Sequence, residues 1–187
     1  AAYVKTRGMG CSVYGAQFLM EGLYNAGAAD YALELMTATH DRSWYNMIKE
    51  GSTISWEAWD LKYKPNQDWN HAWGAAPANI VPRYMWGIQP KTPGYNVAVI
   101  KPQLASLTNS SIVVPTLKGQ IKADYKKVSN RLSYYTIEIP ANMAAEFVMD
   151  FPETAVVSVN GELVNLSFGS VRLNPGVNEI ELRVNSF

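Results

Sequence analysis

The sequence predicts a two-domain α+β protein, with helices first and an antiparallel β-sandwich second. Apolar residues up to Gly87 recur at three- and four-residue spacing, the mark of one helix face. Beyond Thr92-Pro93-Gly94 the chain turns to short runs rich in β-branched and aromatic residues, bounded by turn formers. The change of period falls within Gln89–Gly94, which divides the chain into residues 1–91 and 92–187.

In the first part, Val13, Ala16, Leu19, Met20, Leu23 and Tyr24 form an apolar stripe, stopped by Asn25 and Gly27. A second helix spans AADYALELMTATH, with Tyr31, Leu35 and Ala38 on one face and Asp30 near the positive end of its dipole. RSWYNMIKE is a third, closed by Gly51. A fourth is expected from near His71 to Trp86, kinked or started late by Pro77 and Pro82. Antiparallel pairing across short loops is the natural arrangement. So few helices cannot cover so many aromatics, so large apolar area is left for the β domain or for further helices to cover. The second part offers six to nine strands, with hairpin turns expected at Val128–Arg131 and at Asn160-Gly161.

Composition narrows the function classes. The 187 residues are 48 % hydrophobic and carry 16 basic and 16 acidic side chains, a net charge of zero. No basic run invites nucleic acid or an anionic membrane surface. No apolar run approaches the ~20 residues that span a bilayer. The single Cys11 excludes an internal disulfide and a multi-cysteine zinc site, and reads as buried and inert.

The chemistry is concentrated in Ser52–Gly74, where four of six tryptophans alternate with carboxylates and one of two histidines. Flat indole faces stack on pyranose rings while polar groups fix the hydroxyls, so this pattern describes a sugar cleft. Glycosidic cleavage generally needs two carboxyl groups. Glu57, between Trp56 and Trp59, is the candidate for proton transfer, with a pKa expected to be raised by its indole neighbours. The plainer role for it is an ion pair with Lys62 or Lys64. Asp68 reads as an N-cap of the fourth helix. His71 could carry a proton or donate to a hydroxyl; one histidine is a poor metal site, and His40 belongs to a polar turn. Trp59, Trp69 and Trp73 are stacking candidates, whereas Trp44-Tyr45 reads as core. No phosphate loop or nucleophile elbow is present, and no metal or organic cofactor is implied.

Taken in order, these motifs resemble those of bacterial α-L-rhamnosidases, glycoside hydrolase family 78. Gly51–Asp60 (GSTISWEAWD) is similar to the family's G-A-T-T-x-W-E-x-W segment, and Asn70–Ala75 (NHAWGA) to its N-H-x-x-G-A helix start. Tyr95–Gln103 resembles the strand opening its C-terminal β domain, and Tyr14–Tyr31 the preceding helix pair. Ser52, Ser55 and Ala58 depart from the family's commoner residues. The resemblance implies the last helices of an (α/α)6 toroid followed by a β-sandwich, and inverting removal of terminal α-L-rhamnose. It places the general base on Glu57 and sugar contacts on His71, Trp56, Trp59, Asn70 and Trp73. The general acid would lie far upstream, in the remainder of a parent catalytic domain. The chain alone is then expected not to turn over a rhamnose-containing glycoside. The rival class is a non-catalytic carbohydrate-binding or structural module of a larger glycan-degrading protein. Such an enzyme is commonly exported, to the periplasm or beyond.

Overall fold

The computed structural model describes residues 2–149, 155–164 and 169–185. They form two compact units, Ala1–Met85 and Trp86–Phe187.

The first unit contains helices α1 (Ala2–Lys5), α2 (Ala16–Asn25), α3 (Ala29–Met36), α4 (Trp44–Lys49) and α5 (Ala76–Ile80). The α2 stripe is buried at Ala16, Met20, Leu23 and Tyr24, continuing Val13 just before it. Gly27, at φ +68°, ends α2: its N–H donates to Tyr24 O and the Ala28 N–H to Leu23 O. Gly51, at φ +86°, ends α4 in the same way, with N–H groups of Gly51 and Ser52 donating to Ile48 O and Met47 O. Both stops are Schellman motifs, in which glycine takes the left-handed conformation without a Cβ penalty. Ser43 caps α4, its Oγ accepting the Asn46 N–H at 3.1 Å. Tyr45 was expected in the core but is exposed, because it lies on the face of α4 opposite the buried Asn46 and Met47.

The fourth helix starts later than His71. A 3-10 turn covers Ala72–Gly74, α5 begins at Ala76, and a π-helical turn follows over Val81–Met85. Pro77 sits in the first turn of α5, where its missing N–H costs nothing; a helix running through it from His71 would lose a hydrogen bond and clash. Pro82 lies in the widened π turn. Asp68 therefore caps no helix.

Among the described residues the second unit is all β apart from a 3-10 turn at Pro93–Tyr95. One sheet has the order β1-β2-β6-β9, built from Ile88–Pro90, Val97–Ile100, Ala144–Val148 and Ser170–Leu173. The other has the order β3-β4-β5-β10-β7-β8, built from Asn109–Thr116, Gly119–Ser129, Leu132–Ile139, Gly176–Val184, Ala155–Val159 and Glu162–Leu163. Strand pairing begins upstream of residue 92, since β1 pairs with β2. One pair departs from the expected antiparallel pattern: β2 and β6 run parallel. After β2 the chain builds three strands of the other sheet and returns in the same direction, which a crossover permits and a hairpin does not. β3 and β4 form a hairpin turning at Leu117-Lys118. Asn160 and Gly161 have φ +53° and +82°, the type I′ turn expected there. The stretch AEFVMDFP, rich in apolar residues in the sequence, is strand through Val148; Asp150–Pro152 lie outside the described residues.

Alternate residues of both sheets fill the core, with the Tyr135 ring of β5 meeting Phe147 of β6 edge-on at 5.0 Å. One polar side chain organises the entry to β10. Asn178 is 3 % exposed; its Nδ2 donates to Asn174 O and Gly176 O, and its Oδ1 accepts the Asn174 N–H. Truncating Asn178 to Ala strands these backbone groups, and a loss of about 2 kcal/mol is expected in denaturant unfolding. An unchanged midpoint would show that water replaces the amide.

Candidate active-site wall in the helical unit

The stretch that carries the chemistry has no helix between Ser52 and His71, yet its backbone is closed on itself. Glu57 N–H donates to Asp68 O at 3.0 Å and His71 N–H to Ser55 O at 2.9 Å. Ala58 N–H donates to Gln67 Oε1 at 2.8 Å. These bonds lay the segment before Glu57 beside the segment before His71 and bring their side chains together.

Glu57 is partly buried. Its Oε1 accepts Lys64 Nζ and its Oε2 accepts the Asp68 N–H at 3.3 Å. The ammonium of Lys64, then the Asp68 N–H, hold its carboxyl below the usual carboxylate range. The sequence expectation was the reverse, and its physical premise fails. Trp56 and Trp59 turn into the core, 1 % and 3 % exposed, and leave the carboxylate to a cation. Trp59 donates its indole N–H to Cys11 O at 2.7 Å and packs edge-on against Trp44. As placed, neither Trp56 nor Trp59 offers an open face to a sugar.

The open faces belong to other residues. Trp69 and Trp73 are 45 % and 42 % exposed, and Trp69 lies over buried Trp56 at 4.5 Å. The His71 ring stands 4.7 Å from Trp73, which meets Tyr14 at 5.3 Å; Tyr14 in turn meets Phe18 at 5.8 Å. Asn70 is exposed beside them. Tyr14 and Phe18 were not singled out as site residues. Their signal was legible: four residues apart, they fall off the buried stripe of Val13, Ala16 and Met20.

Other carboxylates are committed elsewhere. Asp60 accepts Asn46 Nδ2 and the Lys62 N–H, both at 3.0 Å. Asp41 pairs with Lys62 and accepts the Tyr63 hydroxyl, which hold its pKa down to about 2. Asp68 is exposed, with Oδ2 4.0 Å from His71 Nε2. Glu57, Asp68 and His71 could each offer one ligand atom within 4.8 Å of the others, but Lys64 already supplies the positive partner of Glu57. Cys11 is half-buried rather than fully buried, and burial raises its thiol pKa. Among the described residues no helix is long and apolar enough to cross a membrane.

Comparison with known proteins accounts for both units. Residues 4–85 match the bacterial alpha-L-rhamnosidase 6 hairpin glycosidase domain, and residues 87–163 the bacterial alpha-L-rhamnosidase C-terminal domain. Along both units the chain is similar to bacterial α-L-rhamnosidases. It is 28 % identical over 162 residues to an alpha-L-rhamnosidase of Alteromonas sp. (strain LOR), covering 79 % of this chain and 17 % of that protein. A second, from Formosa agariphila, is 27 % identical over 156 residues, covering 80 % and 16 %. The chain thus spans about a sixth of the length of the curated relatives it matches. The fold is that of solved rhamnosidases. One from Dictyoglumus thermophilum gives a TM-score of 0.78 at 20 % identity, over 91 % of this chain and 21 % of that one. One from Streptomyces avermitilis, complexed with L-rhamnose, gives 0.73 at 23 % identity, over 89 % and 17 %.

Proposed function

We propose that this chain is the C-terminal part of an inverting α-L-rhamnosidase and supplies the general base, Glu57, together with one wall of the sugar pocket. The observation that supports this most is the state of Glu57. Its carboxyl is held by Lys64 and the Asp68 N–H, with its pKa lowered, and lies within 4.8 Å of His71, whose ring stands 4.7 Å from the exposed Trp73. A base that activates water must be deprotonated before the reaction, and Lys64 favours that form. In this reading His71 and Asn70 bind hydroxyls and Trp73 stacks on the pyranose. Trp56 and Trp59 support the wall from behind.

Inversion needs a second carboxyl roughly 6.5–9.5 Å from the first, with water between them. Asp68 does not qualify: its oxygen lies within 4.8 Å of that of Glu57, short of the separation inversion requires. The proton donor is then supplied by the remainder of the parent's helical domain, which would complete an (α/α)6 toroid. That domain would also cover the apolar surface exposed at Tyr14, Phe18 and Ile48. No step in this scheme calls on a metal or an organic cofactor.

The full-length parent is expected to release β-L-rhamnose first from an aryl α-L-rhamnoside, seen as the β-anomer signal in an early proton NMR spectrum. The α-anomer as first product would eliminate the inverting assignment. The chain alone is expected to show no turnover. Tight, saturable quenching of its tryptophan fluorescence by L-rhamnose would instead favour a self-sufficient binding module.

A further inference from the structure

We infer that Lys64 is a positioning residue: it clamps Oε1 of Glu57 and thereby presents Oε2 as the oxygen that takes the proton from water. The inference rests on the reading of Glu57 as general base. A glutamate on irregular backbone has three rotatable side-chain bonds and no helix or strand neighbours to restrict them. Here the main chain is fixed by the Glu57 N–H bond to Asp68 O, while the side chain is fixed at its far end by the Lys64 ammonium. Among the described residues Oε2 accepts one protein hydrogen bond, the long one of 3.3 Å from the Asp68 N–H. Oε1 carries the charge-assisted bond from Lys64 and Oε2 only the long one, so Oε2 is the less committed oxygen and the one offered to water.

The clamp is carried by the loop that joins Glu57 to His71. The Tyr63 N–H donates to Asp60 O and the Gln67 N–H to Lys64 O, so two turns set where Lys64 emerges. The neighbouring Lys62 cannot substitute, because it pairs with Asp41. The charged and titratable groups facing Glu57 are then Lys64, Asp68 and His71. Of these only Lys64 is a fixed cation in contact with it. A cation at this distance makes the carboxylate a weaker base, so its benefit is geometric: near-attack placement of one oxygen, retained over a wide pH range.

The test compares Lys64→Met, Lys64→Arg and Lys62→Met in the full-length parent on an aryl α-L-rhamnoside. Lys64→Met is expected to lower kcat roughly ten- to a hundredfold with KM little changed, the signature of lost placement. It also moves the acid limb of the kcat/KM profile to higher pH. Lys64→Arg restores most of both, and Lys62→Met changes neither. Wild-type kcat and an unmoved acid limb in Lys64→Met overturn the inference. The clamp is also read without turnover, by carbon-13 NMR titration of the Glu57 carboxyl in this chain. Its midpoint is expected to rise in Lys64→Met, and an unchanged midpoint overturns the clamp whatever the kinetics. Full activity of Glu57→Gln is the separate result that removes the base reading, and this inference with it.

Discussion

Replacing Glu57 by Gln in the full-length parent is expected to lower turnover of an aryl α-L-rhamnoside by roughly 10²–10⁴, the usual loss when a positioned general base is removed. Gln is nearly isosteric, so the fold is expected to hold. Its Oε1 can still accept Lys64 Nζ or the Asp68 N–H, the two donors that meet the carboxylate. The lost ion pair joins partly exposed side chains, 41 % and 26 % accessible, and pairs of that kind contribute little to stability. Loss of activity with an unchanged unfolding midpoint thus isolates chemistry from folding. The pH profile supplies a second reading. Because the folded pKa of Glu57 is depressed, the group stays ionised as pH falls through the ordinary carboxylate range, and base function is lost only as pH drops through the lowered value. An acid limb in the wild type well above the usual carboxylate range would contradict the Lys64 pairing. Near-unchanged turnover by Glu57→Gln would remove Glu57 from the chemistry altogether.

That prediction depends on a feature the sequence showed only in part. Glu57 was visible as the candidate, and Lys64 as a possible ion partner, but the direction of the pKa was not. Neighbours in sequence are neighbours in space only where the backbone is regular. In the irregular stretch from Ser52 to His71, Trp56 and Trp59 point inward while Lys64 returns across the loop. The same limit explains Asp68, whose reading as a cap assumed a helix beginning nearby. Pro77 postpones that helix to Ala76.

Local rules, by contrast, worked wherever one residue type decides the backbone. Gly27 and Gly51 stop their helices in the left-handed conformation, and Asn160-Gly161 makes its turn. The hairpin at Leu117-Lys118 carries no such mark, because neither central residue is a turn former; its glycine, at φ +123°, opens the following strand instead. The parallel β2–β6 pair was invisible for another reason. Periodicity reports that a segment is a strand, and says nothing of which strand it will meet or in which direction.

Gly87→Ala carries the largest expected effect on stability, roughly 2–4 kcal/mol, because two separate costs fall on one methyl group. Gly87 has φ +63°, a conformation L-residues adopt only at a cost, and an added Cβ would lie 2.1 Å from Lys101 O and 2.5 Å from its carbonyl carbon. The neighbour is main chain, so no rotamer change relieves the overlap. Nor can the two segments separate cheaply. Lys101 N–H donates to Gly87 O at 3.1 Å, and the next residue, Ile88, is paired with Ile100. Trp86, Ile88 and Ile100 are at most 1 % exposed, so a shift of the backbone would open the core on both sides of the glycine. Gly51 supplies the control. At φ +86° it has nothing within 4 Å of its would-be Cβ, so Gly51→Ala incurs the conformational cost alone, on the order of 1 kcal/mol. Denaturant unfolding of the two variants separates the terms. If Gly87→Ala is no more destabilised than Gly51→Ala, the backbone contact with Lys101 is looser than described. A larger loss at Gly87 assigns the difference to that contact, because the positive φ is common to both glycines.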